Sequence, residues 1–106
     1  MLNKGDIVLV PFPFTDLSGA KVRPAFLFHI YRDDIVVIFI SSITKNVGDC
    51  DMPIPKSKEN GLKVDSILRL NKIATLDRNL ILGKIGRLEN HILAKTNAKL
   101  SKMFGL

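Results

Sequence analysis

Residues 35–43 form an almost unbroken run of Ile, Val and Phe, with Ser41 and Ser42 near the end. A strand with this composition is apolar on both faces. It must be buried on both sides, or pass between the interior of a barrel and a subunit interface. No isolated hairpin can meet that demand, so the run commits the chain to several strands and a covering layer.

The neighbouring segments supply those strands. Ile7-Val8-Leu9-Val10-Pro11-Phe12 is β-branched, follows Gly5-Asp6 and reads as a first strand. Pro11 and Pro13 place it at an edge or bring it to an end, because proline cannot donate to a ladder. Residues 15–21 read as a loop from their Asp, Ser and Gly, residues 23–30 as a second strand, and residues 31–34 as a turn. After a loop at 44–51 comes a short extended piece at 52–55. A polar stretch at 56–63 then carries the turn signal Asn60-Gly61. Residues 64–70, continuing into Ile73, read as a long, bent strand. In residues 81–88, Gly83 and Gly86 argue for a last strand rather than a helix.

The period then changes. Ile92, Leu93, Thr96, Leu100, Met103 and Phe104 recur at spacings of three and four, with Lys95, Lys99 and Lys102 on a separate stripe. This predicts an amphipathic helix of about four turns, with Asn90 as N-cap and Gly105 as stop. The expected fold is therefore mainly β with a C-terminal helix: a small antiparallel barrel with one covering helix.

One domain spanning 1–106 is expected, since there are no repeats, low-complexity tracts or linkers. A domain this small buries a limited core, which leaves room for a partner subunit to complete it. With 46% hydrophobic and 25% charged residues, the balance is that of a folded chain rather than a disordered one. No segment has the length of a membrane span or the shape of a signal peptide, so a soluble, cytoplasmic protein is expected. Cys50 is the single cysteine, which precludes an intrachain disulfide and reads as a spare thiol. The net charge of +6 suits phosphate backbones, anionic membranes or acidic proteins and does not choose among them.

More specific are several short blocks in order. Gly5-Asp6-Ile7-Val8-Leu9-Val10-Pro11-Phe12-Pro13-Phe14-Thr15-Asp16, running to Arg23-Pro24-Ala25, resembles the opening of MazF/PemK toxins. Ser41-Ser42-Ile43-Thr44 resembles that family's small-small-x-Thr/Ser segment. Asp65-Ser66-Ile67-Leu68-Arg69 with Ile73-Ala74-Thr75-Leu76-Asp77 is similar to its later strand and turn. Gly86-Arg87-Leu88 with the final helix is similar to its close. The resemblance implies the SH3-like barrel of the CcdB/MazF/PemK plasmid-maintenance toxins, a homodimer, and sequence-selective, metal-independent cleavage of single-stranded RNA or mRNA. It also implies an acidic, partly disordered antitoxin that blocks the site, and no cofactor.

In such cleavage the 2′-hydroxyl attacks the adjacent phosphorus, leaving a 2′,3′-cyclic phosphate and a 5′-hydroxyl. Negative charge gathers on the phosphate oxygens, and a guanidinium answers it with a permanent charge and a planar fork of donors. The resemblance puts the family's catalytic arginine at Arg23 and its catalytic hydroxyl at Thr44. On a regular strand Ile40, Ser42 and Thr44 share a face, so Ser42 would support Thr44. Arg69 falls where the PemK branch uses an arginine in phosphate chemistry, and Asn71 where that branch has an acidic residue. Asn cannot take a proton as a carboxylate does. Ala74 likewise stands where an arginine is common.

Asp16 is a candidate for shaping the RNA groove or supplying the missing base. Lys21 and Lys45 are candidates for phosphate contact, and Phe14 for stacking on a base. His29 reads as a packed strand residue and His91 as a solvated one. No cluster has metal-ligand spacing. Two other functions stay open at this point. One is a gyrase-poison-like protein binder, which would not need the Arg23-Pro24 and Ile43-Thr44 pairs. The other is a non-catalytic SH3-like nucleic-acid-binding module, which Asn71 keeps in play.

Overall fold

The computed structural model describes residues 1–12 and 21–106. It contains six strands, a 3-10 turn and one helix. In chain order these are β1 (Asp6–Phe12), β2 (Lys21–Tyr31), β3 (Asp34–Ser41), β4 (Asp51–Ile54), β5 (Ser66–Asp77), the turn Arg78–Leu80, β6 (Gly83–Arg87) and α1 (Asn90–Met103). The strands pair antiparallel in the order β4-β5-β3-β2-β1-β6. They curl into a half-barrel, with the helix following the last strand.

β3 lies between β5 and β2, where its double-sided hydrophobicity is needed. Ile38 and Ile40 face one core, with Ile7, Phe26, Leu68, Leu70 and Leu88; Ile35 and Val37 face another, with Val8, Val10, Ala25, Leu27 and Leu76. Each fully buried aliphatic side chain contributes about 1.5–3 kcal/mol. α1 closes the first core with Ile92, Thr96 and Leu100, one residue per turn along a single stripe. Leu2, Leu80 and Ile81 pack on the second.

Some boundaries differ from the sequence reading. β3 ends at Ser41 rather than Ile43. β5 runs on through Thr75-Leu76 to Asp77, because these residues pair with Val36, Ile35 and Asp34. The helix N-cap is Glu89, not Asn90. The Glu89 carboxylate serves tertiary packing and accepts from Asn60 Nδ2 at 3.2 Å. At the other end Gly105, at φ 70°, turns the chain, and the Leu106 amide donates to the Ser101 carbonyl.

The β4–β5 connection packs tightly. Asn60 is fully buried. Its Oδ1 accepts from the Ser57 and Leu62 amides, and its Nδ2 donates to the Pro55 carbonyl. The next residue, Gly61, has φ 71°, and a Cβ there would collide with the Ile85 carbonyl oxygen. From the other side, a Cβ on Gly86 would strike the Asn60 backbone. Sequence marks both positions as turn or strand glycines, but only the packing of this connection against β6 explains them.

Candidate functional site

β2 begins and β3 ends at the same end of the sheet. The register Val10 opposite Arg23, with Ala25 opposite Phe39, brings Arg23 close to the exit of β3. On the other side of β3, Ser41 faces Ile67 of β5, and Arg69 of β5 faces Asp51 of β4. An open cleft of about 1070 Å³ lies here, lined by residues from all of these elements. Arg23, Ser42, Arg69 and Asn71 all line it. Four of the residues singled out in the sequence, from three separate segments, therefore line one cavity.

Arg23 is exposed and has no hydrogen-bond or ionic partner among the described residues, which leaves its guanidinium available to a ligand. Arg69 is engaged. Its Nη1 donates to Asp51 Oδ2 at 2.8 Å and its Nη2 to the Ile43 carbonyl at 3.1 Å. Asp51 Oδ2 also accepts from the Gly48 amide at 2.8 Å, and Lys99 of α1 donates to the Asp51 carbonyl oxygen at 2.7 Å. Burial pushes the Asp51 carboxyl up. The Gly48 amide, the Arg69 guanidinium and the charge on Lys99 outweigh that, and the group sits below its ordinary value.

Thr44 is placed differently. It lines a smaller cavity of about 330 Å³ with Val47, Pro53 and Asp65, rather than the large cleft. The expectation that Ile40, Ser42 and Thr44 share a strand face does not hold, because β3 stops at Ser41. The Ile43 amide donates back to Ser41 Oγ at 3.1 Å while Arg69 takes the Ile43 carbonyl. Side chains have captured the backbone groups that a continued ladder would use. Ala74 sits opposite Val37 and packs on the second core. Lys21 and Lys45 are exposed and line neither cavity. His29 is exposed at a bulge in β2 rather than packed. Phe14 and Asp16 lie outside the described residues.

The structure adds residues that sequence reasoning missed. Asp49 lines the cleft, is exposed, and engages no other described residue. Lys63 and Lys72 add positive charge to the cleft lining. Phe12 and Phe39 also line it, with their rings 5.6 Å apart at 59°. Val22, Ile43 and Val64 are apolar lining residues that remain more than half exposed. The clustering of Phe at residues 12–14 and 26–39 hinted at the aromatic lining, whereas nothing in the sequence marked Asp49. Among the described residues, no three His, Cys, Asp or Glu side chains gather where they could hold a metal ion.

An open cleft with an exposed arginine, further cations, a hydroxyl and exposed apolar surface is fit to hold a polyanion that also carries flat bases. A family model described as PemK-like, MazF-like toxin of type II toxin–antitoxin system matches residues 3–104. The chain belongs to this family. A search of curated proteins finds no match. Among solved structures, the fold of this MazF-like toxin is similar to that of an endoribonuclease in complex with its cognate antitoxin from a mycobacterial species. That pair has a TM-score of 0.77 and 14% identity, covering 100% of this chain and 97% of the other. It is similar also to MazF from Deinococcus radiodurans, with TM-score 0.76, 17% identity and coverage of 99% and 97%. The Mycobacterium tuberculosis toxin MazF-mt6 matches with TM-score 0.75, 16% identity and coverage of 95% and 97%. At these identities the likeness is one of fold. None of the MazF-like chain's helices is long and apolar enough to cross a membrane, among the described residues.

Proposed function

We propose that this MazF-like toxin is a sequence-selective endoribonuclease acting on single-stranded RNA in the cytoplasm. The supporting observation is the convergence of Arg23, Ser42, Asp49 and Asn71 on one open cleft that also carries Lys63, Lys72, Phe12 and Phe39. At about 1070 Å³ the cleft reaches the upper end of the range for small-ligand sites, and being open it can pass a polymer through.

Arg23 meets the scissile phosphate and stabilises the charge that develops as the 2′-hydroxyl attacks. The bond from phosphorus to the 5′-oxygen breaks and the leaving oxygen takes up a proton from solvent, giving a 2′,3′-cyclic phosphate and a 5′-hydroxyl. Asp49 supplies the carboxylate that Asn71 does not and takes the 2′-hydroxyl proton. The assisting hydroxyl comes from the turn after β3. Ser42 lines the cleft, and Thr44, the position that matches the family's hydroxyl, stands two residues further on. Lys63 and Lys72 hold neighbouring phosphates, and the Phe12–Phe39 pair offers a surface for a base. The functional unit is a homodimer within one domain per chain. Its inhibitor is an acidic antitoxin segment that competes with RNA for the same positive cleft.

The test is cleavage of a long single-stranded RNA by wild type and Arg23→Ala in EDTA, with the product ends mapped. Discrete cuts bearing 5′-hydroxyls in wild type, and cutting slower by about 100- to 1000-fold in the variant, are expected. Intact RNA from folded wild type overturns the reading and favours a non-catalytic binder. Parallel Ser42→Ala and Thr44→Ala variants identify the hydroxyl that carries the step.

A further inference from the structure

The β3–β4 connection, residues 42–50, carries Ser42 and Asp49 to the cleft. Residues 42–49 are all exposed, so hydrophobic packing does not hold them in place. Polar bonds do. One Asp51 oxygen accepts both the Gly48 amide and Arg69 Nη1, each at 2.8 Å, and Arg69 Nη2 reaches the Ile43 carbonyl at 3.1 Å. Carboxylate and guanidinium thus close a ring that joins both ends of the connection to β5. Lys99 holds the Asp51 main chain from behind. The Asp51 and Arg69 side chains are 9% and 20% exposed, so water screens the pair only partly.

We propose that Asp51 is a positioning residue of the cleft: through Arg69 it clamps the β3–β4 connection and fixes where Ser42 and Asp49 stand. This rests on the ribonuclease reading. It gives Arg69 a different task from the phosphate chemistry that the family resemblance implies. Two of the five guanidinium donors are spent on the brace, and the charge is matched by a carboxylate. A positioning error of about 1 Å at a reacting group costs on the order of 100-fold in rate.

The experiment is a cycle of Asp51→Asn, Arg69→Met and the double variant. It reads kcat and KM on a short RNA, melting temperature, and amide hydrogen exchange at residues 42–50. Each single variant is expected to lose about 100-fold in kcat with KM nearly unchanged, and to speed exchange in the connection. The double variant is expected to be no slower than either single, because one brace is broken once. A wild-type kcat in folded Asp51→Asn overturns the proposal. So do a raised KM in Arg69→Met with unchanged exchange, and additive losses in the double variant. Arg69→Lys keeps the charge without the fork and serves if Asp51→Asn does not fold. It should lose kcat like Arg69→Met, and full activity in it overturns the brace. If wild type leaves RNA uncut, the ribonuclease reading fails by itself, and the exchange data still decide whether Asp51 and Arg69 hold the connection.

Discussion

The two connections that flank β4 look alike in sequence. Residues 42–50 and 55–65 are both polar, and each carries asparagine and glycine. In three dimensions they are built on opposite plans. The second is locked from within: Asn60 is buried and bonded on every side, and Gly61 and Gly86 allow the connection to press against β6 at backbone contact. The first is held by the Asp51–Arg69 pair and by main-chain bonds at its end, where the Leu70 amide donates to the Cys50 carbonyl and the Asp51 amide to the Gly48 carbonyl, while residues 42–49 are exposed. One connection is therefore packed into the fold, and the other lines the cleft where the proposed function puts the chemistry. Composition cannot tell them apart, because the distinction lies in what each is packed against.

Substitutions can break this contrast, and the largest effect is expected at Gly61. Gly61→Ala forces both an unfavourable φ and a backbone collision, and should cost about 4 kcal/mol in a denaturant titration. A loss under about 1 kcal/mol would mean that the connection yields and the contrast is false. Asn60→Ala removes one side chain that satisfies several buried groups and should cost about 3 kcal/mol by the same measurement. Asp49→Asn should do the reverse. RNA cleavage falls by about 100-fold while the melting temperature stays within a degree or two of wild type. Destabilisation there would show that the exposed connection also carries the fold.

A pH titration sharpens the comparison at the brace itself. The folded Asp51 carboxyl lies below its ordinary value, with burial opposed by Gly48, Arg69 and Lys99. Its contribution to stability is therefore full above the unfolded carboxyl value and is lost as pH falls through the folded one. Melting wild type and Asp51→Asn between pH 7 and pH 2 should show the variant losing less stability on acidification. The smallest effect is expected away from both connections. The Thr96 hydroxyl is buried with no partner among the described residues, so Thr96→Val should raise stability by up to about 1 kcal/mol and leave cleavage unchanged.

The sequence was most informative where periodicity is strong. Residues 35–43 demanded a strand covered on both faces, and the three-and-four spacing from Ile92 to Phe104 demanded a helix with one buried stripe. Both are present with boundaries within a few residues. The meeting of Arg23, Ser42, Arg69 and Asn71 was legible only through resemblance, since no local rule joins residues so far apart. What stayed hidden depends on tertiary hydrogen bonds. Ser41 turns the chain before Thr44 and sends it to another cavity, and Glu89 rather than Asn90 starts the helix while its carboxylate serves Asn60. Arg69 meets its carboxylate 18 residues away, and no pattern in the intervening chain announces it.

The pairing of β1 with β6 has a consequence in time. Ile7 lies opposite Gly86, about three quarters of the chain apart, and the cleft draws its lining from both sides of that seam, at Leu9 and Ile85. Non-local pairs form late, because the entropy of closing the intervening loop must be met before the contact can stabilise anything. A newly made chain would then hold much of its structure before the lining of the cleft is complete.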